Sequence, residues 1–247
     1  MRVDVDPLGQ WWWVQFALPC KISDLPSGEE LPPPSLNKEL TPWMERWIGR
    51  GPDEIRRSLS MEWAGIRESS VARFRDVILK YRPFALAHDG TRWYLGLNRG
   101  HEEGFDVDDA VYIESPLEPA VLEKCLADHG LDGSPVIREF YKHFNGLRDE
   151  PIHAGNFERP EEWRPFRALG WEEDGFSEEH RSTAIEWFDA LIIYTTACGD
   201  MVLRNADDET AWLLHEEYRV TPLASSFSAF LDLCAESYDE RSWLEYD

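Results

Sequence analysis

The chain has 247 residues, and 48 acidic side chains against 25 basic ones give it a formal charge of −23. A magnitude of about 2–8 already keeps a small domain soluble, while 13% aromatic and 43% hydrophobic residues are too many for an acidic disordered tail, so the charge coats a folded body. Such a surface excludes nucleic acid and anionic membrane as partners and favours basic proteins, although a generally acidic proteome would give the same balance with no partner in view.

The length allows one large domain or two small ones. No apolar run reaches the roughly 18 residues of a membrane span. The opening Met1–Asp6 lacks the basic-then-apolar pattern of a secretory signal. Cysteines at 20, 125, 198 and 234 show no C-x-x-C spacing, and Cys125 and Cys234 fall in apolar helical patterns as small hydrophobes. A cytoplasmic chain with neither a disulfide framework nor a zinc site is expected.

Aromatic and β-branched residues over Gln10–Leu18 predict a buried strand. Pro26, Gly28 and the Pro32–Pro34 run then break the chain into an extended loop. Thr41 before Pro42 opens a helix through about Ile48. Two more helices follow, from Asp53 to about Gly65 and from Ser69 to about Tyr81. Val71, Phe74, Val77, Ile78 and Tyr81 share one face of the second. Phe84–Ala87 and Arg92–Leu97, joined through Asp89-Gly90, read as a hairpin. Ala110–Ile113 is a third strand. Leu117–Asp128 is a helix closed by Gly130, and a further helix runs from Ser134-Pro135 to Asn145-Gly146. Pro151 to Ser177 reads as a turn-rich connection pinned by Trp163, Phe166 and Trp171. Strands at Ala190–Tyr194, Met201–Leu203 and Ala211–Leu214 follow. Pro222 then leads into a last helix from Phe227 to about Ser237.

The order strand, Gly-bearing turn, strand, acidic loop, strand, Pro-initiated helix occurs twice, over about Phe84–His129 and Leu191–Ser237. Either a duplication or the frequency of such arrangements accounts for it.

Signatures of chemistry are missing. Gly96, Gly100 and Gly104 fit neither a dinucleotide turn nor a phosphate loop, and there is no Gly-x-Ser-x-Gly elbow. The His-Glu-Glu triplets at 101–103 and 215–217 lack the second histidine four residues on that a helical zinc protease needs. Adjacent carboxylates such as Glu172-Glu173 are unremarkable in so acidic a chain. Catalytic residues, metal ligands and cofactors are therefore not expected.

The helix and Asn-Gly end at Val136–Gly146 resemble an early element of SUKH superfamily domains. Ile192–Tyr194, Cys198-Gly199-Asp200, Trp212–Glu216 and Ala224–Leu231 resemble that family's closing half. The likeness covers roughly Leu117–Tyr238. It implies an α+β fold, a central, mainly antiparallel sheet flanked by helices, over a domain at 116–247. Residues 1–115 would be an N-terminal α+β extension or a diverged second copy. Bacterial members act largely as immunity proteins against polymorphic toxins, often nucleases, so the resemblance implies a cognate toxin as partner and no enzymatic activity. The alternatives are a non-catalytic scaffold or regulatory module that binds a cellular protein, and an enzyme whose site is assembled from residues without a motif. No oligomeric state is implied.

A partner-binding surface would draw on acidic clusters without compensating bases: Glu102, Glu103, Asp106, Asp108 and Asp109; Glu172, Glu173 and Asp174; and Asp207, Asp208 and Glu209. The tail from Asp239 is a fourth. Predicted loops hold the first three, where binding residues concentrate. Solvated turns that add only long-range field are the plainer reading. Trp93, Trp212 or Trp243 could supply an aromatic anchor, or serve as core.

Overall fold

Apolar residues that alternate along a strand clothe both faces of a sheet, and here both faces are covered. The computed structural model describes residues 12–15, 40–88, 92–99, 110–149, 155–170, 176, 178–196, 198–214 and 219–240. Ten strands form one sheet in chain order: β1 (Trp12–Gln15), β2 (Arg82–His88), β3 (Trp93–Asn98), β4 (Ala110–Ile113), β5 (Arg148–Asp149), β6 (Gly155–Phe157), β7 (Leu191–Thr195), β8 (Met201–Arg204), β9 (Thr210–Leu214) and β10 (Arg219–Ala224). Each pairs antiparallel with the next. The helices are α1 (Pro42–Glu45), α2 (Pro52–Glu62), α3 (Ser69–Ile78), α4 (Pro119–Asp128), α5 (Pro135–His143), α6 (Glu178–Glu186) and α7 (Phe227–Glu240). The fold is thus mixed α+β, an antiparallel sheet flanked by helices.

Proline opens α1, α2, α4 and α5, where its fixed φ suits the first turn and its missing N–H leaves no helical bond unmade. Thr41 caps α1, its hydroxyl accepting from the Met44 amide at 3.3 Å. On β3, Trp93, Leu95 and Leu97 face the main core, while Tyr94 lies on the other side with Ala110 and Tyr112. On β9, Trp212 and Leu214 join the main core, and Ala211 and Leu213 pack with Ala184 of α6 and with Phe166. The main core takes residues from every helix except α6.

Its centre is Phe74. All five residues expected on the buried face of α3 are buried. The Phe74 ring meets Phe140 at 5.4 Å, Phe144 at 5.3 Å, Phe157 at 6.0 Å and Tyr238 at 5.5 Å between centroids, each edge to face. One side chain of α3 therefore touches α5, β6 and α7. Polar contacts repeat the connection. Tyr81 donates its hydroxyl to the Tyr238 carbonyl at 3.0 Å, and Arg99 donates to the same carbonyl at 2.8 Å. That carbonyl lies in the last turn of α7, where a cation also answers the helix dipole.

Three elements depart from the sequence reading. The turn-rich connection contributes β6 to the sheet, and the residues just before it contribute β5; Arg-Asp and Gly-Asn-Phe are too short and too polar to show alternation. Helix α6 carries no apolar stripe, and Ala184 is its buried residue among those described. The run through Pro222 is a strand, β10, and not merely a lead into α7. It lies at the end of the strand order, where a proline costs no ladder bond, and its register with β9 shifts between Pro222 and Ala224. The second of the two similar runs thus has a strand before its helix that the first lacks. Trp163 and Phe166 are buried as expected, whereas Trp171, the turn at 89–91 and both His-Glu-Glu triplets lie outside the described residues. Cys125 and Cys234 are buried, and Cys198 is exposed. Among the described residues no helix is long and apolar enough to cross a membrane.

Truncation of Phe74 to alanine should lower unfolding free energy by about 3–5 kcal/mol, and Phe74→Leu by less, as measured by urea denaturation.

Candidate functional site

Of the acidic residues predicted to bind a partner, those at 102–109 and 172–174 lie outside the described residues. Asp207, Asp208 and Glu209 form the turn between β8 and β9. Asn205 organises that turn: its Oδ1 accepts from the amides of Asp207 at 3.0 Å and Glu209 at 2.9 Å, and its Nδ2 donates to Glu209 at 2.9 Å. Asp208 has φ +72°, a left-handed conformation that Asp tolerates better than most residues, and pairs with buried Arg204 at 2.7 Å. Two of the three carboxylates are thus engaged within the turn, and Asp207 is exposed. Of the predicted anchors, Trp93 and Trp212 are both core residues. In the tail, Asp239 pairs with Lys80 at 2.6 Å and Arg99 at 3.2 Å, and the Lys80 hydrogen bond holds its carboxyl below the usual range.

A further concavity lies elsewhere, where the sequence marks no site. A cleft of about 520 Å³ opens between the start of α1, the start of β3, the segment linking β4 to α4, Asn145 after α5, and the segment after β6. At its inner side stands Glu114, 6% exposed. Its carboxylate lies 3.2 Å from Arg159 and 3.7 Å from Arg92. Both guanidiniums also reach Glu162, Arg92 in a short hydrogen bond. Burial alone would lower the pKa of Arg92, but the Glu162 bond and the charge of Glu114 more than offset it and raise the net value.

Gly146 makes room for this network. Its φ is +55°, and a Cβ there would lie 2.5 Å from Glu114 Oε1. Asn145, its neighbour, is 1% exposed. The Asn145 amide nitrogen donates to the Ser115 carbonyl at 3.3 Å, which fixes its orientation, because a carbonyl can only accept. Its Oδ1 has no hydrogen-bond partner among the described residues. The Ser115 hydroxyl is in hydrogen-bond contact with that of Thr41, which ties α1 to the cleft. A smaller hollow of about 100 Å³ shares Arg92, Glu114 and Arg159 and adds Glu158. Burial pushes the Glu158 carboxyl above the usual range, opposed by the hydrogen bond from Thr195 Oγ1 at 2.6 Å.

Chemically this arrangement can hold and orient polar groups at the end of an aromatic-walled cleft. Among the described residues no group of three or more His, Cys, Asp or Glu side chains could hold a metal ion. Asn145-Gly146 is visible in the sequence as a helix end. The partnership of Glu114 with Arg92 and Arg159 joins residues up to 67 positions apart, with no motif to announce it.

Because folded Glu158 holds its proton more tightly than the unfolded chain does, its own contribution to stability is greatest below the ordinary carboxylate pKa and declines as pH rises through the folded value. Glu158→Gln removes that dependence. As pH rises from the ordinary carboxylate range through the folded value, the wild type should lose stability relative to the variant, as read from urea midpoints at each pH.

The comparisons with known proteins bear on the half of the chain that contributes Ser115's neighbours, Asn145 and Arg159 to the cleft. No curated protein and no solved structure matches the chain. Residues 116–233 match the SMI1 / KNR4 family (SUKH-1), the superfamily that the motifs between 117 and 238 resemble.

Proposed function

We propose that the protein is an immunity protein that binds and neutralises a cognate bacterial toxin with a basic surface, such as a nuclease, by protein–protein contact. The observation that carries this reading is the SUKH-1 match over residues 116–233, a family whose general role in binding toxins is consistent with it. The charge of −23 supports the basic partner. Many cations of the described surface are neutralised locally: Arg50 by Glu54 at 3.3 Å, Arg73 by Asp232 at 3.5 Å, Arg138 by Glu123 at 2.9 Å and Arg167 by Asp189 at 2.6 Å. The surplus carboxylates therefore set the sign of the field, which a phosphate-binding toxin would answer with its own basic face.

On this reading residues 116–247 are the toxin-recognising SUKH-like domain, and 1–115 are an N-terminal α+β region that extends its sheet. The acidic loops at 102–109, 172–174 and 207–209 contribute to the attractive surface. The protein works stoichiometrically in the cytoplasm, by occupying the toxin and not by catalysis. A SUKH-like scaffold binding a cellular protein of unremarkable charge is the competing reading, and it predicts no protection.

Co-expression with the toxin encoded next to it decides between them. Cells should survive with the full chain present; cell death at normal levels of the folded protein rejects the immunity reading. The association rate with that toxin domain, followed by stopped flow, should fall at least about tenfold between roughly 0.02 and 0.3 M salt. Asp207→Lys should lower it about twofold at low salt while leaving dissociation nearly unchanged.

A further inference from the structure

We infer that the cleft beside Asn145 is a docking pocket for an arginine side chain presented by a protein partner. The inference deepens the proposed function, on which the identity of the partner rests, but the chemistry of the pocket stands on its own residues. A buried polar group without a hydrogen bond costs about 1–3 kcal/mol. Asn145 Oδ1 is such a group: it is an acceptor, its orientation is fixed by Ser115, and its residue lines the cleft. What completes it is a donor.

Charge points the same way. The cleft is lined by three carboxylates, Glu114, Glu118 and Glu161, and two guanidiniums, Arg92 and Arg159. Both guanidiniums are already held by Glu114, and Glu162 accepts from Arg92 and lies 3.9 Å from Arg159. Glu118 and Glu161 are exposed, and Glu161 lies 3.4 Å from Arg159. An incoming cation therefore meets the exposed carboxylate of Glu118 at the mouth and an acceptor further in. An anion would meet carboxylates and arginines that are already neutralised.

The walls favour the planar guanidinium over an ammonium. Trp43 and Trp93 line the cleft with Leu117 and Val121. A guanidinium can lie against an indole face while its fork of N–H groups reaches an amide oxygen and a carboxylate together. The protein already uses this pairing nearby, where the Arg46 guanidinium sits 5.2 Å from the Trp43 ring centre and 4.0 Å from that of Trp47.

The probe is a capped Gly-Arg-Gly peptide, titrated into the full ¹⁵N-labelled chain and followed by NMR. Matched peptides with citrulline, lysine or glutamate in place of arginine serve as controls. The arginine peptide should shift the Asn145 side-chain amide and the Trp43 indole N–H. It should bind about tenfold more tightly than its citrulline analogue, which keeps the shape and loses the charge. Glu118→Gln and Glu161→Gln are exposed changes that leave the fold intact, and each should weaken binding about two- to fivefold. Asn145→Ala should weaken it further; should that variant not fold, the two glutamate variants still decide the matter.

Equal binding of the arginine and citrulline peptides, preference for the glutamate peptide, or shifts confined to the β8–β9 turn would each overturn the inference. If the cognate toxin is neutralised while the arginine peptide ignores the cleft, the pocket is wrong and the immunity reading stands. If the peptide binds in the cleft but no neighbouring toxin is neutralised, the pocket stands and the immunity reading falls.

Discussion

The main core of this fold is organised around the edge-to-face contacts of Phe74. The ring comes from α3, in the N-terminal part of the chain, yet its neighbours Phe140, Phe144, Phe157 and Tyr238 all come from the C-terminal half. Removing α3 would therefore expose rings that are fully buried in the intact chain. Exposing a large aromatic side chain costs about 1.5–3 kcal/mol each. The segment that matches SUKH-1 packs its rings Phe140, Phe144 and Phe157 against Phe74 from outside it. The N-terminal helices form one wall of that core, and the bonds from Tyr81 and Arg99 to the Tyr238 carbonyl fasten the last helix to the same wall.

A second constraint follows from the same closure. Fixing α5 against α3 fixes the turn that ends α5, and Asn145 and Gly146 form that turn. Gly146 lets the backbone pass close to Glu114, which brings a carboxylate out of water. Such a charge is costly alone, and Arg92, just before β3, and Arg159, after β6, compensate it. Buried networks of this kind seldom add net stability over an apolar equivalent. They do define a geometry, because each member is held by partners from different elements. The cleft thus inherits its shape from the core behind it.

Much of this architecture was legible beforehand because its long elements carry strong local signals. Helix α3 announced itself through Val71, Phe74, Val77 and Ile78, and the prolines marked the starts of α1, α4 and α5. What stayed hidden lacked any periodicity to read. Strands β5 and β6 exist because β4 and β7 offer them backbone partners, not because Arg148-Asp149 or Gly155–Phe157 prefer to be extended. Helix α6 is held by Ala184 and its neighbours without an apolar stripe. The cleft was invisible for a further reason. An excess of acids along the whole chain draws attention to runs of carboxylates, whereas Glu114 has no acidic neighbour within three residues. Only the fold shows that it is buried and paired.

Steering and docking make opposite demands on carboxylates, and the molecule places them accordingly. A long-range field needs many charges in water and tolerates imprecise positions, since it acts through their sum. The β8–β9 turn fits that demand: its carboxylates are surface groups, and two of them are occupied in holding the turn together. Recognition at short range needs few groups, fixed rigidly and out of competing water, so that each unmatched contact is penalised. Asn145 and Glu114 meet that second demand, immobilised by Ser115 and by two arginines. A protein whose partner is basic gains speed from the first set and discrimination from the second. The two can then change independently, because β5, β6 and β7 separate the turn's strands from β4 in the sheet order.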